Sequence, residues 1–267
     1  IFYPEEPSAL ASLVDELLGQ CEVPAGEACC IISPHAAYDY SGSLSAAAFK
    51  AAAARSVDTA VLIGPVHREP AGRLFLPESE AFQTPLGACH VNEELIGSLA
   101  GCGPSFVRDD IPHLEEHCLE VQLPFLQRLH PRAEIAPVLL GKPTSGLIQA
   151  LAQAMESLIV PRLERTLIVI SANMTSYKPK DQGEKELREL LGLIAGGDWR
   201  AVADGAARGS ISSCGAGCIA AILCLRQHLG ARTDILKLGS SLAVNADHRK
   251  VVHYAAIAFE RASHGTE

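Results

Sequence analysis

The chain has 267 residues, and 31 Asp and Glu residues against 22 Lys and Arg give a formal net charge of −9. This balance argues against the basic surface that nucleic-acid binding requires, so we expect no nucleic-acid partner. A hydrophobic fraction of 48% and an odd count of nine cysteines exclude disorder and a disulfide-stapled scaffold, and they favour a cytoplasmic location. The sequence shows no secretory signal and no apolar run of ~18 residues, so we expect no membrane association.

The first part of the chain predicts a strand–helix–strand unit. Apolar residues at helical spacing predict a first helix, with Ser8 as its N-cap. A short apolar run at 28–32 predicts a buried strand that ends before Pro34. The Ala-rich segment 43–55 predicts a helix, and the run at 59–63 predicts a second buried strand. The length of this unit fits a βαβ crossover.

Helical and strand-like segments continue to alternate along the rest of the chain. Helices are predicted at 121–129, 147–158, 183–194, 199–207 and 214–229, and strands at 135–140, 167–170, 235–238 and 251–259. This alternation predicts an α/β sandwich with a central, largely parallel or mixed sheet flanked by helices. No linker or repeat interrupts the pattern, so we predict a single domain over 1–267.

Histidines follow two of the predicted strands. His35 lies three residues beyond the strand at 28–32, and His67 lies four residues beyond the strand at 59–63. Because the carboxyl ends of parallel strands meet at one edge of a sheet, we expect the two loops to lie close together. Convergent imidazoles are typical ligands of Zn, Cu or Fe. The alternative is an ordinary hydrogen-bonding or surface role in polar loops.

Cys214 is the candidate ligand or reactive thiol among the nine cysteines. It begins a predicted helix, and a helix N-terminus favours the thiolate over the thiol. Its C-x₃-C spacing with Cys218 lacks a second cysteine pair, so a structural zinc site has weak support. We expect Cys218 and Cys224 to be core residues on an apolar helix, and Cys29 and Cys30 to be core residues in a strand.

A cluster of His and Glu residues lies at 113–120. His113 and His117 are four residues apart, but the acidic residues between them do not match the HExxH motif of zinc peptidases. On a helix, His117 and Glu120 would share a face and could both reach a site. The alternative is a capping and hydrogen-bonding cluster at the start of a helix.

Several longer motifs, spread over nearly the whole chain, belong together. They are SPHAAYDYSG at 33–42, GPVH at 64–67, TPLG at 84–87, EHCLEVQLPF at 116–125, PVLLG at 137–141, Cys-Gly at 214–215 and YAA at 254–256. In these motifs the chain resembles the Memo-like family, also called AmmeMemoRadiSam system protein B. That family is structurally similar to the LigB-type class III extradiol dioxygenases, which are non-haem iron enzymes.

The resemblance implies a metal pocket formed by His35, His67 and Cys214, which would also be the catalytic residues. Two imidazoles and one thiolate suit Fe(II) or Cu, with zinc as a further option. The resemblance also implies redox or dioxygenase-like chemistry, and a functional association with a radical SAM protein and an AMMECR1-like protein. The sequence does not identify the ligand, which is either a small molecule or a peptide.

The chain departs from the family pattern beside this pocket. Where the family has S-x-D-x-x-H-Y, this chain has Asn173 and Ser176, and neither side chain replaces a carboxylate or an imidazole in acid–base chemistry. His253 stands where the family has Gly before the closing YAA motif. The side chains expected around the pocket are Tyr40, His117, Glu120, Asn173 and Ser176.

Three functions remain open at this point. The first is a metal-binding redox or dioxygenase-like protein. The second is a catalytically degenerate member of the family that binds a ligand or a protein. The third, a metal-dependent hydrolase, is the least favoured, because Asn173 offers no carboxylate to orient a metal-activated water.

Overall fold

The computed structural model describes residues 2–68, 72–226 and 231–261. Its helices are α1 (Pro7–Gly19), α2 (Tyr38–Lys50), α3 (Glu93–Ala100), α4 (Ile111–Glu115), α5 (Leu123–Leu129), α6 (Ser145–Leu158), α7 (Lys180–Gly196), α8 (Trp199–Arg208) and α9 (Ala216–Cys224). Its strands are β1 (Cys30–Ser33), β2 (Thr59–Pro65), β3 (Leu74–Leu76), β4 (Ala81–Thr84), β5 (Gly87–His90), β6 (Phe106–Arg108), β7 (Glu134–Leu140), β8 (Thr166–Ser171), β9 (Ala231–Ser240) and β10 (His253–Arg261). Short 3₁₀ turns occupy Glu120–Gln122, Val160–Arg165 and Ser241–Ala243.

Eight of the described strands form one mixed sheet, in the order β6-β3-β7-β2-β8-β1-β10-β9. The central strands β7, β2, β8 and β1 run parallel to one another. On one side β10 pairs antiparallel with β1, and β9 pairs antiparallel with β10. The predicted α/β fold with a largely parallel or mixed central sheet flanked by helices is confirmed. The extent of the domain, 1–267, stays a prediction.

The central strands are buried along nearly their whole length. Every residue of β1 and β8 is buried, and β2 and β7 are buried at all positions after the first. Helices that cover both faces of a parallel sheet require continuous apolar strands rather than alternating ones. This requirement explains why the apolar runs of the sequence predict these strands well. Within the described residues, no helix combines the length and apolar character needed to cross a bilayer.

Several predicted helices begin at other residues in the structure. Helix α2 begins at Tyr38, earlier than predicted, and it continues through Gly42. The N-cap of α1 is Glu6 rather than Ser8, because the Glu6 carboxylate accepts a hydrogen bond from the backbone N–H of Ala9 at 2.7 Å. The Ser8 hydroxyl instead donates to that carboxylate. Of the helix predicted at 214–229, the structure describes α9, which begins at Ala216 rather than at Cys214, and the predicted residues 227–229 lie outside the described part of the chain.

Strand register brings three loops to one edge of the sheet. Ser33 of β1 lies opposite Ser171 of β8, and Ile63 of β2 lies opposite Ile170 of β8. The segments that follow these strands therefore leave the sheet side by side. The N-terminus of α9 reaches the same edge.

Helix α9 approaches the end of β8 unusually closely, through a glycine. A Cβ at Gly215 would lie 2.3 Å from the Cβ of Ala172 and 3.0 Å from the carbonyl oxygen of Ser171. The φ angle of Gly215 is −92°, which any residue adopts, so the constraint is space and not backbone strain. This contact sets how near Cys214 lies to the loop after β8.

We expect Gly215→Ala to lower the free energy of unfolding by about 1–3 kcal/mol, the usual cost of overpacking. Gly192→Ala in α7 is the matched control, because no atom lies within 4 Å of a Cβ there and alanine favours helix. Urea denaturation followed by circular dichroism measures both. Equal stability of the two variants would contradict the close contact at Gly215.

Candidate metal centre

The three predicted ligands meet in one cluster. His35 follows β1, His67 follows β2, and Cys214 precedes α9. One ring nitrogen from each histidine and the Sγ atom of Cys214 all lie within 4.8 Å of one another. His35 is 2% exposed, and its Nε2 atom lies 3.1 Å from the Cys214 Sγ atom. Residues separated by up to 179 positions in sequence are thus within reach of a single ion.

Hydrogen bonds determine which nitrogen of His35 faces Cys214. The Ser171 hydroxyl donates its proton to the carbonyl oxygen of Cys118 at 2.7 Å. Its oxygen therefore accepts from the Nδ1 atom of His35, at 2.8 Å. When the ring is neutral, the proton sits on Nδ1 and the lone pair sits on Nε2, next to Cys214. This is the tautomer that a metal ligand needs.

A carboxylate orients His67 in the same way. Glu116 accepts a hydrogen bond from the His67 backbone N–H at 2.5 Å and pairs with the ring Nδ1 atom at 2.7 Å. The Glu116 side chain is 5% exposed, so water competes little for it. Carboxylate–histidine pairs fix ring orientation and increase the basicity of the other nitrogen. Glu116 lies in a family motif, but the sequence offered no reason to give it this role.

The electrostatics of the cluster favour a thiolate. Burial raises the pKa of Cys214, but the charge of His35 and hydrogen bonds from His35 and His67 outweigh it, and the pKa falls from 9.0 to about 5. Hydrogen bonds to Cys214 and Glu116 raise the pKa of His67. At neutral pH the metal-free cluster therefore holds a thiolate, which is the form of cysteine that binds metals.

His117 forms a wall beside the cluster. Its ring stacks on His67 with centroids 5.7 Å apart, and it meets the His35 ring edge-on at 5.7 Å. Phe2 stacks on His117 at 4.2 Å. Burial, followed by the charges of His35 and His67, lowers the pKa of His117 to about 4. His117 is therefore a neutral imidazole at pH 7.

A cavity of about 550 Å³ adjoins the cluster. Four of the predicted pocket residues line it together with the three candidate ligands: Tyr40, His117, Asn173 and Ser176. Phe2, Tyr177, Lys250 and Tyr254 also line it, and they are not among the site residues predicted from the sequence. Phe2, Lys250 and Tyr254 reach the cavity from the two ends of the chain, so no local pattern connects them with the strand-end histidines, whereas Tyr177 directly follows Ser176 in the loop after β8.

The structure places Glu120 away from this cavity. Its carboxylate accepts a hydrogen bond from the hydroxyl of Tyr3, and it lines a second cavity of about 370 Å³ together with His113. The shared helix face predicted for His117 and Glu120 is wrong. Helix α4 ends before them, and Glu116 is extended, with φ −103° and ψ 138°. His117 therefore precedes the 3₁₀ turn that contains Glu120.

Asn173 binds the backbone of His35 and supplies no acid or base to the site. The Oδ1 atom of Asn173 accepts a hydrogen bond from the backbone N–H of His35 at 3.1 Å. The backbone N–H of Ser176 donates to the Ser212 hydroxyl at 3.1 Å. These contacts fix the loop after β8 without supplying an ionisable group to the cavity.

His253 contacts the loop after β8 through its backbone and its ring. Its carbonyl oxygen accepts from the backbone N–H of Met174 at 2.9 Å, and its ring Nδ1 atom lies 2.9 Å from the Thr175 hydroxyl. The ring fills space that a side chain at residue 183 would need, because a Cβ at Gly183 would lie 2.5 Å from the Cε1 atom of His253. The imidazole at this position is thus accommodated by a glycine in α7.

Comparison with known proteins decides the family. A family model described as "Memo-like protein" matches residues 1–258. The chain belongs to the Memo-like family. This match includes all three candidate ligands, so the cluster lies within the shared part of the Memo-like chain.

Curated relatives named MEMO1 family protein align with the chain almost end to end. The relative from Methanopyrus kandleri is 30% identical, covering 97% of this chain and 96% of its own length. The relative from Methanosarcina acetivorans is 32% identical, with 97% and 96% covered. The relative from Thermoplasma volcanium is 29% identical, with 96% and 94% covered.

We expect Cys214 of this Memo-like chain to be alkylated by iodoacetamide faster than the other cysteines after metal chelation. Because its pKa is lowered to about 5, its thiolate persists as the pH falls from 9 to 6. Cys102 is the matched control, because it is exposed and burial raises its pKa. Peptide mass spectrometry gives both rates. A Cys214 to Cys102 rate ratio that does not rise towards pH 6 would contradict the thiolate assignment.

Proposed function

We propose that the protein binds one redox-active transition-metal ion, Fe(II) or Cu, through His35, His67 and Cys214. The observation that carries this proposal is the convergence of three donor atoms within 4.8 Å. The donor set also has the right chemistry, since two imidazoles and a thiolate suit Fe(II) and Cu and are compatible with zinc. Ser171 and Glu116 hydrogen-bond the Nδ1 atoms of the His35 and His67 rings, as expected of residues that orient metal ligands.

The cavity beside the cluster supports a ligand-binding role for the metal centre. Three protein ligands leave coordination positions open, and a bound metal would supply redox or Lewis-acid chemistry to a ligand in the cavity. His117 contributes a neutral imidazole to the same cavity, and a neutral imidazole can accept a hydrogen bond from a bound ligand.

The remaining polar residues favour slow turnover or none. Asn173 and Ser176 offer an amide and a hydroxyl, and neither exchanges protons readily near pH 7. The second candidate function is therefore a catalytically degenerate module that binds a ligand or a protein. A metal-dependent hydrolase is less favoured, because no carboxylate among the described residues lines the cavity to orient a water. The association with a radical SAM protein and an AMMECR1-like protein rests on the resemblance to the family and stays a prediction.

We expect anaerobically purified protein to carry about one Fe or Cu per chain. His35→Ala, His67→Ala and Cys214→Ala should each remove most of the metal, because two ligands hold an ion far less tightly than three. Cys102→Ser is the matched control, since it removes an exposed thiol away from the cluster. Elemental analysis by mass spectrometry gives the stoichiometry. Parent protein that carries no metal even after anaerobic reconstitution would overturn the proposal.

We expect Asn173→Asp with Ser176→His to raise O₂ consumption in the presence of a catechol or a thiol reductant. Restored acid–base groups contribute on the order of 10²-fold in comparable sites. The control is Asn173→Ala with Ser176→Ala, which removes the native side chains without adding ionisable groups. An oxygen electrode gives the rates, and the metal content must match between variants. Unchanged O₂ consumption with the metal bound would favour the binding module.

A further inference from the structure

One wall of the cavity is built by the segment between β9 and β10. Ser241, Asn245 and Lys250 of this segment line the cavity, and we call these three residues the donor rim. The backbone around them is held in place. Val251 forms a β-bridge with Lys178, and the backbone N–H of Ser241 donates to the carbonyl oxygen of Val252 at 2.9 Å.

The existing hydrogen bonds of the donor rim use its oxygen atoms as acceptors, so its O–H and N–H groups remain free to donate to a ligand. The Ser241 hydroxyl oxygen accepts from the backbone N–H of Val252 at 3.1 Å, so its proton remains available to donate. The Asn245 Oδ1 atom accepts from the backbone N–H of Asp247 at 3.0 Å, so its amide nitrogen is the group left for another partner. Both side chains therefore suit an acceptor in the cavity.

Lys250 adds a positive charge to this wall. Among the described residues, no carboxylate lies within 4.0 Å of its ammonium group, the distance of an ion pair. The neighbouring Arg249, in contrast, pairs with Asp247 at 3.0 Å. Lys250 is thus a cation at the cavity without a close ion pair in the described chain, and the acidic side chain that its charge influences, Asp247, is paired with Arg249.

Apart from the Cys214 thiolate at the cluster, the described cavity wall carries no anionic side chain. The described chain contributes no Asp or Glu to the lining, although the sequence contains 31 acidic residues. Asn173 uses its oxygen for His35, so its amide nitrogen is a further donor. A concave site with donors, a lysine and no carboxylate favours an anion over a cation or a neutral ligand.

Aromatic rings flank the same space. Tyr40, Tyr177 and Tyr254 line the cavity. Tyr177 is 73% exposed and has a φ angle of 47°, a left-handed conformation that is costly for a residue other than glycine and that clusters at ligand-binding sites. An exposed ring held in this conformation offers a planar apolar surface at the mouth of the cavity.

We infer that the cavity takes a small organic carboxylate with a planar apolar body, and that the donor rim binds the carboxylate group. Lys250 supplies the charge, and Ser241 and Asn245 supply hydrogen bonds. The inference rests on the proposed function only in placing the ligand beside the metal cluster. The anion-binding wall itself consists of residues outside the cluster, so it operates with or without a metal.

The test compares three probes of one size and different charge: benzoate, benzamide and benzylammonium. Their affinities are measured by ligand-observed NMR titration, on protein as purified and after chelation, with metal content determined in parallel. We expect benzoate to bind about tenfold more tightly than benzamide, the gain of one partly exposed ion pair with hydrogen bonds. Benzylammonium should bind more weakly than both.

Substitutions assign the preference to Lys250. Lys250→Met should reduce benzoate affinity to that of benzamide, and Lys250→Arg should retain most of it, because the charge is kept. Lys185→Met is the matched control, because this exposed lysine of α7 does not line the cavity. All variants should keep the parent's metal content, so a failure of the metal proposal is recognised separately.

Three outcomes would overturn the inference. The first is equal affinity of the parent protein for benzoate and benzamide, including the case in which neither binds. The second is a benzoate preference that Lys250→Met leaves unchanged or that Lys185→Met removes equally. A preference that disappears on chelation would also count against the donor rim, because the carboxylate would then be held by the metal alone.

Discussion

The hydrogen bond between the Ser171 hydroxyl and the His35 ring, 2.8 Å long, is the contact on which the candidate metal centre depends. Ser171 is the last residue of β8 and lies opposite Ser33 of β1, so strand pairing positions the hydroxyl near the ring. Gln122 donates to the same hydroxyl oxygen at 3.2 Å, and the hydroxyl proton goes to Cys118. The ring orientation is thus set by the sheet and by the segment before α5 together.

The cavity has two chemically opposite sides. On one side, the cluster presents the ring nitrogens of His35 and His67 and a thiolate from Cys214. On the other side, the donor rim presents N–H and O–H groups and the charge of Lys250. A ligand that spans the cavity would meet a Lewis acid at one end, once a metal is bound, and hydrogen-bond donors at the other. Such a site fixes orientation as well as affinity, because a reversed ligand loses both sets of contacts.

The sequence predicted those parts of the site that depend on local patterns. Continuous apolar runs identify β1, β2 and β8, and His35 and His67 follow within a few residues of strand ends that a parallel sheet must bring together. The supporting role of Glu116 was not predictable in this way, because it contacts His67 across 49 residues. The place of Lys250 was missed for the same reason, since it depends on how the segment before β10 packs across the sheet. Short strands such as β3 and β6 were also missed, because three residues carry too little periodicity.

Phe2 connects the start of the chain to the cavity. Its ring stacks on His117, and its carbonyl oxygen accepts from the backbone N–H of Tyr38 at 2.9 Å. At the other end of the described chain, β10 runs antiparallel to β1, so Arg261 lies at the opposite edge of the sheet. A polyhistidine affinity tag placed before Phe2 would therefore bring extra imidazoles to the mouth of the cavity, where they would act as additional ligands for any metal bound there. A tag following Arg261 begins at the far edge, so the two fusions would present different ligand sets to the same ion.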